Sequence, residues 1–278
     1  MGRDAAVIAF SDPAEKGTGQ YLVAKTDPIT FASDEIGWYA VHVNANDIAC
    51  TGATVRWFLS TLLLPEAQTD QAIVDTIFEQ IAGACTELDV GLVGGHTEIT
   101  YGIDRPIVVG CMLGEVAPER LVRPDGARPG DVLLVTKGIA VEGTAIIARE
   151  KADILSEGDA STGDESLLTR CQGFLYDPGI SVVRDAAVAT AAGDVRAMHD
   201  PTEGGLATGL WELAEAAGVG LVIDEPAIPV MPETLFLCRQ LGLDPLGLIA
   251  SGTLLMAVAP QDAAAILSLI HILRAHET

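Results

Sequence analysis

Residues 36–53 read IGWYAVHVNANDIACTGA. Over 36–51 the apolar side chains recur at helical spacing, and Gly52 supplies a C-terminal stop, so the stretch predicts one helix. Its polar residues are unusual for a helix end. Asn44 and Asp47 are three apart and share a face, and Asp47 sets a carboxylate against the negative end of the helix dipole. Working outward, two short apolar runs at 5–10 and 21–26 flank a turn-rich 12–19 and predict a hairpin. Downstream come a strand at 57–64 closed by Pro65 and a long helix at 70–88 carrying Ile73, Ile77, Ile81 and Cys85 on one face. A buried strand at 91–93 runs into Gly94-Gly95, and a further strand spans 105–116. The order β-β-α-β-α-β-β predicts an α+β layer with helices on a mixed sheet over residues 1–117.

Residues 118–130 are rich in Pro, Arg and Asp without period and read as a linker. A second unit over 131–266 starts with a strand at 131–136 and a helix beginning near Glu142, followed by a polar loop at 151–165. Helices at 181–192, 203–217 and 233–241 alternate with strands at 195–198, 219–223 and 253–259. The last stretch, 267–278, reads LSLIHILRAHET, which looks like the translation of a sequencing adapter. It is set aside as non-native, which removes His271 and His276 from any site. On this reading the chain is cut short at both ends.

Composition excludes several classes. The formal net charge of −23 repels nucleic acid and acidic membrane surfaces, so neither is an expected partner. Hydrophobic residues make up 49% of the chain, too many for disorder, yet no apolar run approaches the ~20 residues of a membrane span. The lysines are only Lys16, Lys25, Lys137 and Lys151, an acid-rich and lysine-poor balance similar to that of salt-adapted microbial proteins. Cys50, Cys85, Cys111, Cys171 and Cys238 all sit in apolar stretches with no CxxC spacing, as reduced thiols in a cytoplasmic protein would.

The chemistry-bearing candidates lie at element ends. Asp4 precedes the first run, Asp27 follows the second, Asp47 closes the helix and Glu98 follows the buried strand. Carboxylates gathered at one rim of a sheet repel one another unless a cation stands between them, and Mg²⁺ takes a few carboxylates together with substrate phosphates. Each acid alone is more often a cap or turn residue. No GxxxxGK[ST] loop is present, so phosphates fall to Gly-rich strand ends and helix starts. Gly94-Gly95 is one such place, and Asp200-Pro201-Thr202-Glu203-Gly204-Gly205 is the other. There Asp200 can cap, Pro201 fits the first helical position and Glu203 completes a capping box, but two glycines in a first turn call for a close approach by ligand or backbone. His96 and His199 each adjoin a Gly-rich turn, whereas His42 is mid-helix and reads as packing.

GRDAAVI, KTDPIT, WYAVHVNANDIACTGA, VGGHTEIT and HDPTEGGLATGLWELAEAAGVGLVID, in this order, resemble the AIR synthase superfamily, most closely its hydrogenase maturation factor branch. The resemblance implies a two-domain AIR-synthase-like fold, with an N-terminal domain that pairs across a homodimer into a barrel and a larger C-terminal α/β layer. It implies ATP with Mg²⁺ as cofactors and activation of an amide or carbonyl oxygen by phosphoryl transfer. Thiamine-monophosphate kinase chemistry is the alternative, and a nucleotide-binding maturation partner without turnover is a reading of another class. Asp4, Asp27 and Asp47 would hold Mg²⁺. Thr26, Asn46, Gly94, Gly95, Asp200, Gly204 and Gly205 would join them around the nucleotide, and His96 and Glu98 would be catalytic. His96 and Glu98 depart from the Gly-Asp-Thr of many relatives. The acceptor would be a small molecule or a protein-bound group. The hydrogenase maturation branch ends in a cysteine that carries it.

Overall fold

The computed structural model describes residues 5–9, 19–31, 34–152 and 167–275. They form two units, 3–121 and 122–278, each considered by itself.

The first unit is a five-stranded sheet ordered β1-β2-β5-β3-β4. Its strands are β1 (Ala6–Ala9), β2 (Tyr21–Ile29), β3 (Thr54–Pro65), β4 (Gly91–Thr100) and β5 (Ile107–Val116). All neighbours are antiparallel except β3 and β4, and that parallel pair needs the crossover supplied by α2 (Gln71–Glu87). Asp70 starts α2 by accepting a hydrogen bond from the Ile73 amide at 2.9 Å.

Helix α1 (Ile36–Cys50) packs on β2, β3 and β5 and against α2. Apart from Trp38, all of its residues are buried, His42, Asn44, Asn46 and Asp47 among them. Gly110 and Gly114 let it approach, because a Cβ at either would overlap Asn44 or Ile48. Along β5 the strand period then separates the faces. Val108 and Met112 lie under α1 with no exposure, while Ile107, Val109, Cys111 and Leu113 are half-buried on the opposite face. Neither helix of this unit covers that opposite face among the described residues. Strand β5 is interior, bonded to β2 on one side and β3 on the other. The outer strands of the sheet are β1 and β4.

The second unit holds a three-stranded antiparallel sheet, β6 (Val132–Val135), β8 (Leu255–Val258) and β7 (Val195–His199), in that order. Around it lie α3 (Val141–Glu150), α4 (Leu167–Gly173), α5 (Val183–Ala192), α6 (Gly205–Ala217), α7 (Pro232–Leu241) and α8 (Ala263–Ala275). Every residue of β8 is fully buried, so the central strand is covered on both faces and reads as an unbroken apolar run. Leu255 and Ala257 pack with Leu206 and Leu213 of α6. The expected strand at 219–223 is absent: those residues pair with no strand, and Val222 is 98% exposed. Most of the expected loop at 151–165 lies outside the described residues. The stretch read as a linker divides, since Val122 and Ala127 are buried and Ala127 joins the core of this unit. Residues 267–275 continue α8 without a break, and Ile270 is 2% exposed.

Candidate functional site

Strand alternation turns Lys25 and Asp27 of β2 toward α1, on the same side as the buried Val23 and Ile29. There they meet Asp47, one turn before the end of the helix. The Lys25 Nζ lies 3.1 Å from Asp27 Oδ2 and 3.1 Å from Asp47 Oδ2, and its side chain is only 15% exposed. Burial opposes the ammonium charge, but Asp47 and then Asp27 outweigh it and hold the lysine above its ordinary range. Asn44 fixes the strand beneath. The Asp27 amide donates to Asn44 Oδ1 at 2.9 Å, and Asn44 Nδ2 donates to the Ala40 carbonyl at 2.8 Å. Thr26 points to the other face, where its hydroxyl donates to the Gly110 carbonyl at 2.7 Å.

Two carboxylates thus aim at one point from two different elements. Oxygens spaced around an ammonium at 3.1 Å need to close by about 1 Å each to reach the ~2.1 Å of a Mg²⁺ ligand, or to act through metal-bound water. Among the described residues no three of His, Cys, Asp and Glu gather as a metal set. The pair fits a Mg²⁺ that brings phosphate ligands with it, and not a cage made wholly of protein. Asn46, on α1 beside Asp47, is fully buried. Asp4 lies outside the described residues.

Gly94, Gly95, His96 and Glu98 are not brought to this point within one chain. The strand runs straight through the glycines to Thr100, so Gly94-Gly95 is no terminal phosphate loop. A Cβ at Gly95 would overlap the Ser60 carbonyl, which accounts for that glycine without a ligand. The register pairs His96 with Thr61 and Glu98 with Leu63, on the face away from α1. Three strand spacings, about 14 Å, separate His96 from the Asp27 strand. His96 and Glu98 are solvated, 67% and 56% exposed, and pair with each other at 3.7 Å.

In the second unit helix α6 starts at Gly205, not at Pro201, so the expected capping box at 200–203 does not form. Gly204 caps in the left-handed region at φ 78°, and a Cβ on Gly205 would overlap the Leu246 and Leu248 carbonyls. Backbone approach therefore explains Gly205, and the left-handed backbone explains Gly204. Asp200 is buried just before it, and His199 Nε2 meets Glu212 Oε2 at 2.8 Å.

Sequence reasoning missed Glu142, in the first turn of α3. It is fully buried, and neither carboxyl oxygen has a hydrogen bond of ordinary geometry. Burial pushes it from 4.5 up to about 7; Ser251 beside it opposes the shift, and Glu203 and Asp200 add to it. A carboxyl that holds its proton near neutrality can give or take one. The available signal was an acid inside the apolar run GIAVEGTAII. Nearby, Lys137 donates to the Gly179 carbonyl at 2.9 Å and to the Ser181 carbonyl, and pairs with Asp185 at 3.5 Å.

Comparison with known proteins bears on both units. Residues 2–116 match the family model of the AIR synthase related protein N-terminal domain, and residues 128–276 match that of its C-terminal domain. The chain is 33% identical over 276 residues to carbamoyl dehydratase HypE of Rhizobium leguminosarum bv. viciae, covering 95% of this chain and 71% of that one. Among solved structures it is similar to hydrogenase maturation protein HypE in complex with ATP, with TM-score 0.75 and 28% identity over 90% of this chain and 72% of that one. The thiamine-monophosphate kinase of Stenotrophomonas maltophilia K279a shares the fold, with TM-score 0.75 and 20% identity over 92% of this chain and 80% of that one. With both halves matched in order and a third of its residues shared with a carbamoyl dehydratase, the chain belongs to the AIR synthase related family, on the HypE branch.

Proposed function

We propose that this chain is an ATP-dependent dehydratase that removes the elements of water from a carbamoyl group. The observation that carries the reading is the convergence of Asp27 and Asp47 on one point in a chain similar over nearly its whole length to carbamoyl dehydratases. The γ-phosphoryl group passes to the carbamoyl oxygen as ADP and one nitrogen-bound proton leave, and loss of phosphate with the second nitrogen-bound proton then yields the nitrile. Asp27 and Asp47 would hold Mg²⁺, with Asp4, Thr26 and Asn46 as further candidates around the nucleotide. The ion would neutralise phosphate oxygens while the chain positions them. The glycine pairs and Asp200 find no comparable support, because backbone packing already accounts for Gly95 and Gly205.

A homodimer belongs to the same reading. The face of the first sheet away from α1 carries Leu59, Leu63, Ile107, Val109 and Leu113 with no helix of its unit upon it among the described residues, and a second copy would bury it. His96 and Glu98 lie on that face, so a catalytic part for them requires the partner copy.

The test incubates the protein with Mg-ATP and an S-carbamoylated cysteine peptide. The expected result is a peptide lighter by one water, with one ADP and one phosphate formed for each conversion. ATP turnover stimulated by thiamine monophosphate and not by the peptide would favour the kinase alternative, and ATP bound without turnover would favour a docking role.

A further inference from the structure

Lys25 stands where a metal ion would have to stand. It touches both carboxylates at 3.1 Å, and among the described residues burial on β2 beneath α1 leaves its head group with those two acids as its charged neighbours. Without a positive charge between them, Asp27 and Asp47 would face each other across a space a few ångströms wide. We infer that Lys25 is a resident cation: it holds Asp27 and Asp47 together in the metal-free protein, and Mg²⁺ must displace it to bind. The inference rests on the reading that these two acids are metal ligands.

The consequence is an order of binding. Mg²⁺ alone would have to evict an ammonium already paired with both ligands, and the chain offers no third carboxylate among the described residues to offset that. Mg²⁺ arriving with a nucleotide brings phosphate oxygens, which ligate the ion and receive the displaced ammonium. Free Mg²⁺ therefore binds poorly and Mg-ATP binds well. The lysine acts as a lock on the empty site.

The test uses Lys25→Met, Lys25→Arg and Asp47→Asn in the full chain, with calorimetric titration of Mg²⁺ in the absence of nucleotide and melting curves at increasing Mg²⁺. Lys25→Met is expected to bind free Mg²⁺ at least tenfold more tightly than wild type, about 1.4 kcal/mol. Its melting temperature should be low without metal and recover with it. Lys25→Arg keeps the charge and should behave as wild type toward free Mg²⁺. If Lys25→Met proves too unstable to titrate, metal-dependent recovery of its melting temperature is the readout, and Lys25→Gln is titrated in its place. Unchanged affinity for free Mg²⁺ in Lys25→Met and Lys25→Gln, with Mg-ATP binding still weakened by Asp47→Asn, would overturn the inference and leave the site standing. Indifference of every variant toward both ligands would remove the site and the inference together.

Discussion

Glu142→Gln is expected to make the protein more stable at pH 8 and to leave it nearly unchanged at pH 4.5. The folded chain holds this carboxyl at about 7 against an ordinary 4.5. Below 4.5 both folded and unfolded chains carry the proton, and the group contributes no difference. Between 4.5 and 7 the folded chain retains a proton that the unfolded chain has released, so stability falls as pH rises through that window. Above 7 the loss is complete, at roughly 3 kcal/mol for a shift of this size. Glutamine keeps the shape and cannot ionise, so the variant should escape that loss. Urea unfolding of both proteins at the two pH values isolates the difference, since other carboxylates titrate alike in each. A variant less stable than wild type at pH 8 would mean that the ionised carboxylate has a cationic partner. The side chain would then be a structural anchor and not a proton-holding group.

If the proposed dimer forms through the bare face of the first sheet, Val109→Asp is expected to convert it to a monomer. Val109 sits mid-strand in β5, between its partners Pro28 and Thr61, on the face that α1 leaves bare. An unpaired carboxylate buried against a second copy costs several kcal/mol, and roughly 3 kcal/mol already weakens association more than a hundredfold. Phe78→Asp, on the exposed side of α2, serves as the control and should stay dimeric. Light scattering at micromolar concentration reads the result. A wild type that is monomeric, or a Val109→Asp protein that stays dimeric, would show that this face is covered otherwise.

Local signals carried much of the fold. The apolar spacing of 36–51, the stripe of Ile73, Ile77, Ile81 and Cys85 and the Pro65 stop marked α1, α2 and β3, because each is written in nearby residues. Long-range pairing was not legible. Nothing in 105–116 tells that β5 is bonded on both sides, and nothing in 219–223 tells that no strand lies beside it. The site divided in the same way. Asp27 and Asp47 were visible as acids near element ends, although β2 runs on past Asp27 to Ile29, but the lysine between them was not, because its position follows from the register of β2 beneath α1. That lysine also reverses an expectation. Read from the sequence, Asp47→Asn relieves a clash with the helix dipole and leaves stability unharmed; in the structure it removes one of two partners from a largely buried ammonium, and a loss of roughly 1–3 kcal/mol follows. Glu142 escaped notice because burial, and not sequence, gives it its character.

The account stands most directly on whether Asp47 binds Mg-ATP. Calorimetric titration of ATP at fixed Mg²⁺ into wild type and Asp47→Asn measures it, with each protein first shown to be folded at the working temperature. Asparagine keeps the size of the side chain and removes the charge that a hard cation requires. The expected result is binding by wild type and at least tenfold weaker binding by the variant, about 1.4 kcal/mol or more. Equal affinity for Mg-ATP in the two folded proteins would contradict the account and leave Asp47 with a structural role beside Lys25.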